Sequence, residues 1–400
     1  QLVVRGKLRG TARAAEYQAT KGELLPVVLD SFARLSDQAD LVLVEGAGSP
    51  AEINLPGPDI ANMGFARAAN VPVLLVGDID RGGVIASIVG TLSLLEEDAR
   101  ARLKGFIINK FRGDLALFDS GLTEIRARTG IESLGVVPHF PDARRLPAED
   151  AVAVERPARA PDRAIRIAVP VFSRIANFDD FDPLAAEPDV AVDMVAPGRA
   201  LPGDADAVIL PGTKSTLGDL AFLYDQGWDV DIAAHHRRGG AVLGICGGYQ
   251  MLGRDVRDPR GVEGAPGARA GLGLLDVETE LSGDKTLREV QGNEVASGAA
   301  VSGYEMHMGR TTGPDTARPM LRVPGGDGGA VSADGLVRGC YLHGLFAADR
   351  FRHAFLSGLK DRAPSGVAYG EEVDRVLDDL AAHLATHLDL DRIWELARAR

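Results

Sequence analysis

The sequence predicts an α/β protein of two successive domains, on three observations. Short, continuously apolar runs alternate with helix-compatible segments; a stretch rich in Pro, Ala and charge interrupts them at residues 139 to 165; a second alternating series follows. Runs that are apolar throughout, rather than at every second residue, suit parallel strands covered on both faces.

In the first series LVLVE (41 to 45), VPVLLVG (71 to 77), GFIIN (105 to 109) and Leu134 to Val137 read as buried strands, and the opening QLVVRGK is strand-like. Ile60 to Ala69 and Val84 to Glu96 are helix-compatible. The stretch HFPDARRLPAEDAVAVERPARAPDRAI has no sustained period and reads as a linker, with a boundary near 160 and domains at 1–158 and 165–400. The second series places strands at Ile167 to Phe172, Val190 to Val195, Ala207 to Leu210 and Ala241 to Ile245. Residues 324 to 335 are Gly-rich and read as a loop, whereas 372 to 398 carry amphipathic helical spacing.

Length and composition agree: 400 residues suit two domains, and with 45% hydrophobic but only 5% aromatic residues the cores must rest on Ala, Val, Leu and Ile. A formal net charge of -13 argues against a nucleic-acid partner, because such binding rests on neutralising phosphates, yet leaves room for a local basic cleft. Two cysteines make no disulfide framework and fit a reducing compartment. No apolar run is long enough to span a bilayer and no signal-peptide pattern is visible, so the expectation is the cytoplasm without a membrane partner. Nothing in the pattern specifies an oligomeric state.

One of the two cysteines lies in GAVLGICGGYQMLG (240 to 253), directly after an apolar strand and before a helix-compatible run. Gly244-Ile245-Cys246-Gly247-Gly248 has the form of a nucleophile elbow, a strained strand-to-helix turn whose flanking residues must be small. A helix N-terminus favours thiolate over thiol. The plainer reading is a structural turn with an incidental thiol. A catalytic Cys needs a base brought from elsewhere in the chain. His343 in GCYLHGLF follows a short apolar run whose end would present it; its plainer reading is a core histidine. His235 and His236 read as exposed and chemically idle, and His383 with His387 as an i, i+4 pair lacking a third metal ligand. Cys340 reads as a core residue. For the oxyanion of a tetrahedral intermediate, DAVILPGT (206 to 213) offers Gly212 beside the N–H of Gly247.

Taken together, LPGTKST, GICGGYQ and YLHGLF resemble the class I glutamine amidotransferase domain over residues 165 to 356. The resemblance implies that Cys246 attacks the amide of glutamine and releases ammonia through a glutamyl thioester, with His343 as general base and acid. It puts Gln250 where the family contacts the glutamine substrate. Most relatives carry an acid two residues after the His, where this chain has Leu345. This resembles the cobyrinate-type branch, and a Cys–His dyad suffices physically because a thiol of pKa about 8.5 needs less activation than a hydroxyl. A backbone carbonyl or a carboxylate not identifiable in the sequence would then orient the ring.

VEGAGSPAEINL (44 to 55), DIANMGFARAANVPVLLVGDIDRGG (59 to 83), FIINKFRGD (106 to 114) and SGYEMHMGRT (302 to 311) closely resemble the cobyric acid synthase family, whose first domain is similar to dethiobiotin synthetase. The resemblance implies ATP- and Mg²⁺-dependent phosphorylation of carboxylates on a corrinoid, adenosylcobyrinic acid a,c-diamide, and amidation at b, d, e and g with glutamine as ammonia donor. It matches Glu45 to a Mg²⁺ ligand and Asn109 to the adenine-reading position, and leaves Asp80 and Arg81 for a phosphate or corrinoid carboxylate, or for a plain salt bridge. No G-x-x-x-x-G-K-[ST] stretch occurs, and the chain opens at Gln1. The expectation is therefore a first domain truncated at its N-terminus, with doubtful ATP turnover. Two rivals stand: cobyrinic acid a,c-diamide synthase, and a non-catalytic binding protein like the partitioning ATPases, against which the Cys, His and oxyanion set weighs.

Overall fold

The computed structural model describes residues 2–10, 12, 14–52, 59–147 and 165–399. The chain forms two compact units, one from Gln1–Ala143 with Leu377–Arg400 and one from Arg144–Val376.

The first unit opens with an antiparallel hairpin, β1 (Leu2–Val4) and β2 (Lys7–Gly10), and continues with α1 (Ala14–Ser36) and α2 (Met63–Ala69). Then come β3 (Val73–Asp78), α3 (Val84–Leu94), α4 (Glu97–Arg100), β4 (Leu103–Phe111), α5 (Asp119–Thr129) and β5 (Glu132–Pro138). The three later strands form a parallel sheet in the order β3-β4-β5. Ile88, Phe106, Ile108 and Ile125 fill its core.

Leu41 to Glu45 departs from expectation. It joins no ladder among the described residues, and Leu43 and Val44 are exposed. Apolar content alone does not make a strand; a neighbour must take its N–H and C=O groups.

The second unit is built on a six-stranded sheet whose strands are β6 (Ile165–Pro170), β8 (Val190–Val195), β9 (Ala207–Leu210), β11 (Ala241–Ile245), β18 (Ala330–Val331) and β19 (Val337–Cys340). Its order is β18-β19-β11-β9-β6-β8, parallel except for β18. Ile167 and Val169 of β6 pack into one core and Ala168 into another on the opposite face, which is why these strands read as unbroken apolar runs. Two two-residue strands, β7 (Ile175–Ala176) and β10 (Gly212–Thr213), pair beside its C-terminal edge. The helices here are α6 (Asp182–Ala185), α7 (Thr216–Asp225), α8 (Trp228–Arg237), α9 (Gly247–Leu252) and α10 (Asp349–Leu359).

A second, mixed sheet went unread in the sequence. It comprises β12 (Asp255–Asp258), β13 (Gly267–Ala270), the long hairpin β14 (Glu278–Glu294) and β15 (Ala300–Thr312), and β20 (Leu342–His343). β16 (Leu321–Val323) and β17 (Gly326–Gly328) extend it, so part of the expected Gly-rich loop at 324 to 335 is strand.

The C-terminal segment corrects the expected boundary of 165–400. The amphipathic helices α11 (Tyr369–His387) and α12 (Leu390–Arg398) are present, but residues from Leu377 onward belong to the first unit. Gly135 of β5 makes a bridge with Leu388, the Asp389 N–H donates to Leu134 O at 2.9 Å, and Arg392 pairs with Glu132 at 2.9 Å. The apolar stripe of a helix goes to whichever sheet has an uncovered face, which sequence order does not specify. Residues 148–164 of the expected linker lie outside the described residues.

Candidate active site

Cys246 ends the central strand β11 and precedes α9, at the C-terminal edge where open parallel sheets bind ligands. Its backbone has φ 52 and ψ -110, the strained turn an elbow requires. The turn closes only because its neighbour is bare: a Cβ on Gly248 would lie 2.2 Å from Leu210 O. The Sγ, in a residue 8% exposed, lies 3.6 Å from Met306 O.

β20 delivers His343, only 1% exposed, to the same place. A Cβ built on Gly212 would sit 3.1 Å from His343 Cε1 and 3.8 Å from Cys246 Cβ, so thiol and ring converge on a cradle that residue 212 leaves empty. The other predicted oxyanion donor, Gly247, is the residue directly after Cys246, at the first position of α9.

The group orienting His343 is Asp180. Its Oδ2 lies 2.8 Å from His343 Nδ1, and its Oδ1 accepts the Gly344 N–H at 2.7 Å. Both side chains are buried. The carboxylate fixes the tautomer and leaves Nε2 facing the sulfur. Burial is the strongest influence on the ring and works against its charge. Asp180 and Cys246 together outweigh it, pushing the pKa of His343 up to about 10. The Tyr304 ring stacks on the imidazole at 5.3 Å, and Asn177 Nδ2 donates to Tyr304 Oη at 2.5 Å. A dyad was the expectation from Leu345; the geometry is a Cys–His–Asp set whose acid comes from 163 residues upstream. The signal in the sequence was the acidic pair of NFDDF, which no local pattern links to the histidine.

Gln250 was expected at the glutamine substrate, but its side chain is 2% exposed and spent internally. Nε2 donates to Met308 O at 3.0 Å and to Tyr341 Oη at 3.2 Å, while Oε1 accepts from Thr216 Oγ1 at 2.9 Å. It braces the elbow helix against β15 and α7. Asp219 braces the oxyanion strand: fully buried, it accepts from Ser173 Oγ at 2.5 Å, from the Arg174 N–H at 3.2 Å and from Thr213 Oγ1. Cys340 is a core residue whose pKa is raised by burial to about 12. His235, expected to be exposed, is buried with Nε2 3.0 Å from Ala241 O, whereas His236 pairs at the surface with Asp334.

In the first unit, Asp78 ends β3 directly opposite Asn109 of β4. Asn109 Oδ1 accepts the Lys110 N–H at 2.9 Å, and Lys110 Nζ bonds Asp78 at 2.8 Å. Asp80 is taken by Arg112 in a two-pronged pair at 2.8 and 3.0 Å, the salt-bridge reading of that residue. Arg81 projects into solvent, 3.8 Å from Asp78. Glu45 is exposed on a segment that Asn62 Nδ2 ties down through Ala47 O at 2.7 Å. No cluster of three His, Cys, Asp or Glu poised for a metal occurs among the described residues, His383 and His387 included.

Residues 166–351 match the family model of the CobB/CobQ-like glutamine amidotransferase domain, and residues 9–145 match an AAA domain. The fold and this match define the class: a mixed α/β enzyme pairing a nucleotide-binding-like domain with a glutamine amidotransferase domain. Cobyric acid synthase of Paracoccus denitrificans is 60% identical over 398 residues, covering 100% of this chain and 82% of the relative. The Cereibacter sphaeroides protein of that name is 58% identical with the same coverage. The chain belongs to the cobyric acid synthase family and is an amidoligase. Among solved structures, a chain of Thermotoga maritima PurLQS is similar over 49% of this chain and 99% of its own, at 21% identity and a TM-score of 0.39.

Proposed function

We propose that the chain uses glutamine-derived ammonia to amidate the b, d, e and g carboxylates of adenosylcobyrinic acid a,c-diamide, giving adenosylcobyric acid in cobalamin biosynthesis. The observation that carries this is 60% identity over the length of this chain with a cobyric acid synthase, joined to a thiol and imidazole converging on Gly212. It favours this reading over the a,c-diamide synthase, and a non-catalytic binder would have no use for such a set.

Cys246 Sγ attacks the side-chain carbonyl of glutamine. A ring with pKa about 10 is cationic at neutral pH, so His343 stands beside the sulfur as its counter-charge with a proton on Nε2. The N–H groups of Gly212 and Gly247 receive the oxyanion. As the C–N bond breaks, Nε2 gives its proton to the leaving nitrogen and ammonia departs, leaving a γ-glutamyl thioester. Water, deprotonated by the now neutral ring, attacks the thioester; glutamate leaves and the Cys–His pair is restored. Asp180 steadies the ring in both charge states.

At the acceptor, ATP with Mg²⁺ supplies activation of a carboxylate as an acyl phosphate, whose phosphate is a good leaving group for ammonia. Glu45 fits a Mg²⁺ site in chemistry, an exposed carboxylate that makes no ion pair among the described residues. Asn109 would meet the nucleotide, and Asp80 and Arg81 a phosphate or a corrinoid carboxylate, with Lys110 and Arg112 supplying positive charge beside them. No phosphate-loop motif lies within the 400 residues. No described helix is long and apolar enough to cross a membrane, and both cysteines are free thiols. A reducing cytoplasm suits both.

The test is product analysis. Supplied with the a,c-diamide, ATP, Mg²⁺ and glutamine, a chain completed with the phosphate-loop segment yields cobyric acid with four new carboxamides by mass spectrometry and NMR. Amidation of a and c on the unamidated corrinoid instead would assign the rival synthase.

A further inference from the structure

The glutamine substrate is a zwitterion, and its α-ammonium group needs an acceptor that the mechanism above does not supply. The turn from Asn177 to Asp180 wraps the catalytic ring. Asn177 holds Tyr304, which stacks on His343, and Asp180 holds His343 itself. Asp179 lies between these two anchors. Its side chain is half-buried and, among the described residues, pairs with no Lys, Arg or His. A second observation ties this carboxylate to the site: it lies close enough for its charge to act on the His343 ring and on Tyr304, while His343 Nε2 faces Cys246 in the cradle beside Gly212.

We propose that Asp179 receives the α-ammonium group of glutamine and so selects the amino acid over other carboxamides. This rests on the glutaminase reading above. A half-buried carboxylate with no direct ion pair is costly, and an ammonium from the ligand offsets that cost. The electrostatics agree: burial first, and then the neighbouring Asp180, raises the carboxyl pKa of Asp179. Its field also reaches His343, Tyr304 and Tyr369, the groups around the ring and beyond it. Asp180, by contrast, has both oxygens committed and is not available to substrate.

The experiment compares glutamine with 4-carbamoylbutanoate, which keeps the amide and carboxylate but lacks the amine. In the whole wild-type chain, KM for glutamine is expected to be about tenfold or more below that for the analogue, the scale of one charge-assisted hydrogen bond. Asp179→Asn raises KM for glutamine by a similar factor with kcat little changed, and leaves KM for the analogue where it was. Iodoacetamide alkylation of Cys246 at the wild-type rate verifies that the variant's site is intact. Equal changes on both substrates, or a wild-type enzyme indifferent to the amine, would overturn the assignment while leaving the glutaminase reading in place. Absence of any glutamine hydrolysis would instead sink that reading itself.

Discussion

At the C-terminal edge of the second unit's sheet, His343, Asp180 and Gln250 are buried and bonded to one another's supports. At the corresponding edge of the first unit's sheet, Asp78, Asp80, Lys110 and Arg112 pair in the open, with Arg112 58% exposed. Buried dipoles are fixed before the substrate arrives and act at low dielectric, so they can govern bond-making. Exposed pairs are screened, exchange partners cheaply and can yield to an incoming phosphate or carboxylate. On the proposed reading, the site around Cys246 is therefore largely set in itself, whereas the edge at Asp78 and Asp80 can exchange its pairs for a ligand.

Cys246→Ser tests that division most severely. Glutamine-dependent amidation should fall by about 10³-fold or more. Synthesis from added ammonia, in a chain able to use ATP, should stay near wild type, and labelling by diazo-oxo-norleucine should disappear. Loss of the ammonia-dependent reaction as well would mean that the two edges do not work independently.

Asp180→Asn should follow, with a fall in kcat of about 10²- to 10⁴-fold, as when the orienting acid of a triad is neutralised. It also has a signature in pH. His343 titrates near 10 in the folded chain and at about 6.5 unfolded, so its contribution to stability is complete below pH 6.5 and is lost as pH rises towards 10. Removing the carboxylate lowers the folded pKa and brings that loss to lower pH. An NMR titration of the His343 ring reads the shift directly, and an unmoved ring would show that Asp180 is not its principal partner.

How far the sequence foretold these features depended on whether their cause was local. The elbow was legible because strand, thiol and flanking glycines lie within a few residues, and each glycine has a steric reason to be there. His343 was legible from its short strand. Asp180 was not, because the contact joins residues 163 apart through a turn with no period. Gln250 was assigned to the substrate by analogy, while its burial against Met308 and Tyr341 depends on a second sheet whose polar, irregular strands gave no alternating pattern. Arg352 is a like case: a charge in the first turn of α10, fully buried because Glu187 meets it at 2.7 Å. Composition places arginine outside; only the partner places it inside.

Gly248→Ala carries the comparison from chemistry to packing. The added Cβ meets a backbone carbonyl, which cannot rotate away, so strand and elbow helix must separate. A cost of about 1–3 kcal/mol is expected. It should appear in chemical denaturation, with slower alkylation of Cys246 as the turn loses its shape. Unchanged stability and alkylation would mean that the elbow tolerates movement and that its rigidity is not what separates the two edges.

The smallest effect belongs to the first unit and has the opposite sign. Gly90 lies inside α3, and a Cβ built there meets nothing within 4 Å. Its backbone is helical, so alanine fits without strain and removes conformational freedom from the unfolded chain. Gly90→Ala should therefore stabilise by about 0.4–1 kcal/mol. Glutaminase activity should not respond, because α3 belongs to the other unit. The two glycines differ in what surrounds them: Gly248 admits close backbone contact beside Cys246, while Gly90 has no such contact to protect. Destabilisation by Gly90→Ala would show that the space beside α3 is occupied in solution.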